Sequence, residues 1–352
     1  MSQEKTASAL IAQHRKIVLR RWAIISVLVF LALFAFMVSV AVGALNIGFG
    51  DVLRAIFAPG TVDDKISTVV WSLRLPMAVM ALLIGCSLSL AGGQMQTILG
   101  NPLAEPFTLG ISAAAAFGGG ASIVLGIMFV PSPQLNIAMI AWVSSMIATL
   151  IIVVFSVFRG ASAESMVLLG IALVFLFQAL LALIQYTAST EALSQIVFWA
   201  MGSMTRASWM SNAIMAGVLA LTIPIFCVLS WRLTALRLGD ARAAAMGVNV
   251  ARLRILVLIV VSIIAATSVA FAGIIGFVGL VGPHIARMLV GEDQRYFMPA
   301  SMAAGALMMC GSHAISLAIK PGLAIPIGII TAIVGVPFFL GIILTRRRAM
   351  WT

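Results

Sequence analysis

Ten apolar runs dominate this chain, at about 23–45, 75–97, 105–129, 136–158, 166–187, 211–231, 253–272, 274–291, 298–318 and 325–345. A helix needs about 20 apolar residues to cross the hydrocarbon layer of a bilayer, which is the length of most of these runs. In lipid the backbone must satisfy its own hydrogen bonds, which leaves only helices and closed barrels. No stretch alternates polar and apolar residues as a barrel strand does. With 62% hydrophobic and 9% charged residues, the chain is too apolar for a soluble domain around one core. The expectation is an all-α polytopic membrane protein with about ten transmembrane helices.

The formal charge of +11 does not indicate nucleic acid, because its distribution follows the connections between runs. With ten spans and a cytoplasmic N-terminus, sixteen of the 21 basic residues fall on inside segments and five outside: Arg54, Lys65, Arg74, Arg206 and Lys320. That is the positive-inside bias, so both termini are placed in the cytoplasm. The run from Trp22 to Leu45 is too long for the apolar part of a secretory signal and lacks a clean cleavage site. It reads as a retained first span. The domain reading is a basic cytoplasmic lead over 1–22, a single transmembrane domain over 23–345 and a cytoplasmic tail over 346–352.

Three polar breaks stand out. The most informative, Arg232 to Arg254, carries five arginines against one acid, Asp240, and is sized for two short helices joined by Gly239 and Gly247. A cytoplasmic loop of that length between apolar runs suggests a surface that another protein grips. Between the second and third runs, Gly100-Asn-Pro-Leu-Ala-Glu-Pro-Phe107 combines two helix-stopping prolines with two capping residues, Asn101 and Glu105. It reads either as a tight turn or as a constriction at the inner mouth formed by Asn101 and Leu103. The outside segment at about 188–210 is amphipathic and aromatic, as in an interfacial helix.

Small residues recur within the runs, for example Ser87, Ser89, Ala91, Gly92 and Gly93. They allow close helix approach in lipid and also leave room for a wide path. Ala91-Gly92 with Pro102 matches Ala272-Gly273 with Pro283 at an offset of 181, a faint hint of an inverted repeat.

Catalytic and metal-binding patterns are missing from the sequence. His14, His284 and His313 lie far apart, and Cys86, Cys227 and Cys310 sit inside apolar runs without a pairing pattern. None of the four lysines follows a phosphate-binding loop, so any ATP that drives this chain binds elsewhere. The expectation is no catalytic residue, no metal and no cofactor on this chain.

The motifs Leu73-Arg-Leu-Pro76, Asn101-Pro-Leu-Ala-Glu-Pro-Phe-Thr-Leu-Gly-Ile-Ser112, Leu238-Gly-Asp240 with Ala245-Met-Gly-Val248, Gly276-Phe-Val-Gly-Leu-Val-Gly-Pro-His284, Ile325-Pro-Ile-Gly328 and Gly335-Val-Pro-Phe-Phe339 follow one another along the chain. In them the chain resembles the permease subunits of type II ABC importers for iron-siderophores, haem and cobalamin. The resemblance implies two pseudo-symmetric halves per subunit and two permease subunits around a central path, here expected as a homodimer. It also implies two cytoplasmic ATPase subunits holding ATP and Mg, an extracytoplasmic binding protein, and the bacterial cytoplasmic membrane. It assigns a cytoplasmic gate to Asn101 and Leu103 with Ser162, Ala163 and Glu164. Coupling helices fall at about 234–249, with Leu238, Gly239, Asp240, Ala244, Met246 and Gly247 meeting the ATPase.

The chain departs from that pattern at His313, Leu317 and Ala324, where the family commonly carries charge. Arg74, Arg206 and Lys320 are the outer basic residues left for docking a binding protein. The competing class is an ion-coupled secondary transporter, which needs ionisable groups near mid-membrane. The runs offer chiefly Gln178, Gln185 and His313, which argues against it.

Overall fold

The computed structural model describes residues 2–345 apart from 46, 161 and 321, so the tail expected at 346–352 lies outside the described residues. Fourteen α-helices follow in order among them. They are α1 (Ser2–Ala41), α2 (Phe49–Phe57), α3 (Asp64–Val69), α4 (Leu75–Leu99), α5 (Ile111–Leu125), α6 (Pro133–Arg159) and α7 (Ala163–Thr187). The series continues with α8 (Thr190–Ala200), α9 (Trp209–Leu236), α10 (Asp240–Ala245), α11 (Val250–Ala272), α12 (Val278–Val290), α13 (Gln294–Ile319) and α14 (Ile327–Thr345).

Ten of these helices take up the ten apolar runs. Seven are long and apolar enough to cross a membrane, and α5, α12 and α14 contribute shorter apolar helices. The runs overstate α5 and α12, which have 15 and 13 residues. Left-handed Gly110 and Gly126 bound α5. The segment before α12 bonds to neighbouring backbone instead of continuing a helix: Ile274 N–H donates to Ala200 O at 3.2 Å, and Ser203 N–H to Ala272 O at 2.8 Å. The interfacial helix expected after the fifth span is α8.

Three expectations are corrected. First, the basic lead is not a separate segment, because α1 runs unbroken for 40 residues, about 60 Å at 1.5 Å per residue. Second, the central loop holds one short helix, α10, and not two; α9 continues to Leu236 and α11 starts at Val250. Third, the offset of 181 does not pair equivalent positions: Gly92 lies within α4, whereas Gly273 caps the end of α11.

The packing centres on α4. It and α11 are mostly enclosed, with 72% of each apolar window buried, whereas only 17% of the α7 window is. A seam without side chains brings α4 against α12 and α13. A Cβ on Gly85 would lie 2.4 Å from Gly305 O, and one on Gly92 1.9 Å from Gly279 O. Ser89 Oγ donates to Ser301 O at 2.6 Å, and Ser301 Oγ donates back to Ser89 O at 3.1 Å. Helices in lipid gain nothing from hiding apolar surface, so close backbone contact and interhelical hydrogen bonds must hold them.

A bulky residue in this seam forces α4 and α13 apart. Gly85→Val and Gly305→Val should each destabilise the folded chain by at least about 1–3 kcal/mol, the usual scale of overpacking. Gly217→Val, where a Cβ meets nothing within 4 Å, is the control that should remain near wild type. Thermal unfolding in detergent measures all three.

Candidate functional site: the cytoplasmic gate and coupling segment

One end of the bundle collects Arg21, Arg237, Arg254, Arg287, Glu292 and Asp293 in ion pairs. This is the end that the charge bias assigns to the cytoplasm. The central segment is built there by turn chemistry. Gly239 has φ +98 and ψ 155, a conformation reserved in practice for glycine, and caps α10. Asp240 then opens α10, where a carboxylate suits the positive end of the helix dipole. At the other end Gly247, at φ +85, donates to Ala244 O at 2.9 Å, and Val248 N–H reaches Ala243 O at 3.1 Å. That pair of bonds is a Schellman motif, with buried Val248 and Ala243 supplying its apolar contact. Asn249 Oδ1 accepts from Arg252 N–H at 3.0 Å and starts α11.

The result is a short, capped protrusion. Leu238, Gly239, Asp240, Ala244, Met246 and Gly247 are all exposed on it. Leu238 is 54% and Met246 41% exposed, outside any apolar helix. Apolar side chains held out in this way by a rigid turn are suited to docking a protein.

The Asn101 loop begins where Gly100, at φ +61, ends α4. Asn101 Oδ1 accepts from Leu103 N–H at 2.9 Å and Ala104 N–H donates to Asn101 O at 3.1 Å, so the tight-turn reading is realised. Leu103 is left 49% exposed. Glu105 does not cap with its side chain. Its carboxylate turns toward Gly279, where a Cβ would lie 3.5 Å from it, and burial pushes its pKa up to about 7. The loop shares a groove of about 510 Å³ with Val167, Ile171, Val174 and Phe175 of α7. Ser162, Ala163 and Glu164 do not line that groove. Ser162 caps α7 by accepting from Ser165 N–H at 3.2 Å, Ala163 packs on the core, and Glu164 is exposed in the first turn.

Sequence reasoning passed over the polar residues that tie this end together. Gln94 Nε2 donates to Gln294 Oε1 at 2.9 Å, and Gln96 Oε1 accepts from Arg287 at 2.8 Å. Both glutamines lie within an apolar run, and that position was the available signal.

At the opposite end the three outer basic residues differ sharply. Arg74 ends a π-helical turn, Val70–Arg74, and is 5% exposed. It donates to Val40 O at 3.1 Å, Ala41 O at 2.7 Å and Leu45 O, and thereby closes the end of α1. As a docking residue Arg74 is corrected to a buried cap. Arg206 is half-buried, 5.7 Å over the Trp199 ring, and burial lowers its pKa to about 10, so it remains charged at neutral pH. It borders a depression of about 670 Å³ lined also by Phe198, Trp199 and Ala324. Lys320 is exposed. Of the three departures from the family pattern, Leu317 and Ala324 line a smaller depression with Arg74, and His313 is buried.

Seven long apolar helices and three shorter ones, with a capped protrusion and a proline-bounded loop at one end, define a multi-pass membrane protein. Residues 31–346 match the FecCD transport family, and the chain belongs to that family. It is 35% identical over 348 residues to a protein of Methanocaldococcus jannaschii classed among ABC transporter permeases, covering 96% of this chain and 99% of that one. It is 33% identical over 312 residues to the hemin transport system permease HmuU of Yersinia pestis, covering 88% and 92%. A solved structure of a transporter assigned to the metal-chelate ABC type, in an inward-facing conformation, superposes with a TM-score of 0.80 at 31% identity, covering 93% of this chain and 99% of that one. The chain is thus the membrane-spanning subunit of an ABC importer, a transport component and not an enzyme, working with ATPase and permease partners.

The raised pKa of Glu105 makes a signed prediction. The unfolded chain ionises Glu105 near 4.5 and the folded chain near 7, so between these values the unfolded state binds fewer protons. The contribution of Glu105 to stability is full below about 4.5 and is lost as pH rises through about 7. Glu105→Gln should remove that part of the slope, as measured by thermal midpoints of the purified chain across this window.

Proposed function

We propose that two copies of this subunit line the path for a bulky metal chelate, with iron-siderophore first, then haem or cobalamin. The observation that carries the ATP-driven reading is the capped protrusion at Leu238–Gly247, which offers exposed apolar side chains outside every span. In this reading two ATPase subunits hold ATP and Mg, seat on that protrusion, and this chain itself carries no cofactor. Leu238, Gly239, Asp240, Ala244, Met246 and Gly247 form the contact.

The bare apolar face of α7, with Leu168, Phe175 and Leu183 more than 60% exposed, supports a second copy beside the path. The loop at Asn101 and Leu103 then closes the inner mouth against α7, with Ser162, Ala163 and Glu164 at the start of that helix. An extracytoplasmic binding protein delivers the chelate to the outer face at Arg206 and Lys320. The setting is the bacterial cytoplasmic membrane. The chelate class rests on the hemin permease and the metal-chelate transporter to which the chain is similar.

Leu238→Asp and Met246→Asp should abolish capture of the ATPase subunit, by about tenfold or more, because a docking residue at an interface centre contributes about 1.4 kcal/mol or more. Membrane insertion and thermal midpoint should not change. Undiminished ATPase capture by both variants, or chelate uptake by vesicles that lack nucleotide, would overturn the reading.

A further inference from the structure

Two residues before the Asn101 loop, the end of α4 is held by charge. Arg254 Nε donates to Ile98 O at 2.8 Å. Its two terminal nitrogens each sit 2.9 Å from an oxygen of Asp240, the first residue of α10. Ile98 is in the last turn of α4, where carbonyls lack intrahelical partners and the helix dipole favours a cation. One guanidinium therefore joins the coupling helix to the last turn before the loop. The Arg254 side chain is 8% exposed and that of Asp240 57%, so the guanidinium end of the link is buried while its carboxylate faces solvent.

A second chain of charge reaches the same turn from the other side of the segment. Arg237, just after α9, pairs with Glu292. Glu292 also lies 3.0 Å from Arg287 Nε, and Arg287 donates to Gln96 Oε1 of α4 at 2.8 Å. Gln96 Nε2 in turn donates to Gly279 O of α12 at 3.4 Å. The coupling segment thus meets α4 at residues 96 and 98 by two independent routes.

We infer that Arg254 and Glu292 are positioning residues that clamp the inner end of α4, and with it the Asn101 loop, to the coupling segment. The inference rests on the reading of 238–247 as the ATPase contact and specifies how displacement there reaches the gate. Apolar contacts let helices slide over one another; a bidentate guanidinium–carboxylate pair has one geometry and resists shear. Displacing α10 while leaving α4 in place would strip a buried guanidinium of its carboxylate, a strongly unfavourable step. Between the clamp and Asn101 stands left-handed Gly100, so the loop pivots on a defined point.

The test uses the assembled complex with its ATPase subunits in vesicles. Cys86, Cys227 and Cys310 are replaced by Ala, and an environment-sensitive fluorophore is placed at Leu103→Cys, an exposed position on the loop. The readout is the fluorescence change on adding ATP, divided by the hydrolysis rate of the same sample, with ATPase capture and thermal midpoint measured alongside. Arg254→Lys keeps the charge but cannot hold both Asp240 and Ile98, and Glu292→Gln alters an exposed carboxylate with little risk to folding. Each should reduce the loop signal per ATP hydrolysed by about threefold or more, the scale of a lost charge-assisted contact, with capture unchanged. Wild-type signal in both variants overturns the clamp alone, as does a fall that merely follows lost ATPase capture. A wild-type loop that never responds to ATP overturns the coupling reading and the clamp with it.

Discussion

Everything in this subunit is arranged around the contact of α4 with α12 and α13, where backbones meet because side chains are missing. Gly85 and Gly305 exclude even a methyl group from each other's path, and the Gly279 backbone excludes one at Gly92. Ser89 and Ser301 lock the register with reciprocal hydrogen bonds. In water such a seam would be a weak core. In lipid it is the strong solution, because dispersion and hydrogen bonding are the forces left once apolar burial is neutral. The enclosed position of α4 follows, and it gives the Asn101 loop a rigid post to stand on.

At the inner end of that post the same chain changes its chemistry. Gly100, Asn101 and Pro102 stop α4, and the Asn101 side chain replaces the next helical hydrogen bond. Alongside, Gly239 and Gly247 carve a six-residue helix out of the long connection between α9 and α11. At this wet end Arg237, Arg254, Arg287 and Glu292 join loops that apolar packing alone would leave independent.

How much of this was legible in the sequence depends on which force set each feature. The ten spans were legible because the cost of exposing polar backbone to lipid writes itself into composition over some twenty residues at a time. The break between α9 and α11 was visible, but its single helix was not, since α9 simply continues apolar periodicity through Leu236. Arg74 and Arg206 look alike as letters. Only the hydrogen bonds of Arg74, at the end of a π-helical turn, show that one faces the carbonyls of α1 while the other faces Trp199 and an open depression. Gln94 and Gln96 were overlooked although Gln178 and Gln185 were not, and an amide buried in a bilayer needs a partner wherever it sits. Of the five arginines in the central segment, two turn out to be ties and not merely markers of sidedness, and that depends on where α4 ends in space.

The brevity of α10 has a consequence of its own. Six residues are far below the roughly 12–15 an isolated helix needs to persist in water. Its helicity is therefore lent by its ends: Gly239, the Asp240–Arg254 pair and the bonds at Gly247 and Val248. A load that breaks either end melts the whole element at once, and does not bend it gradually.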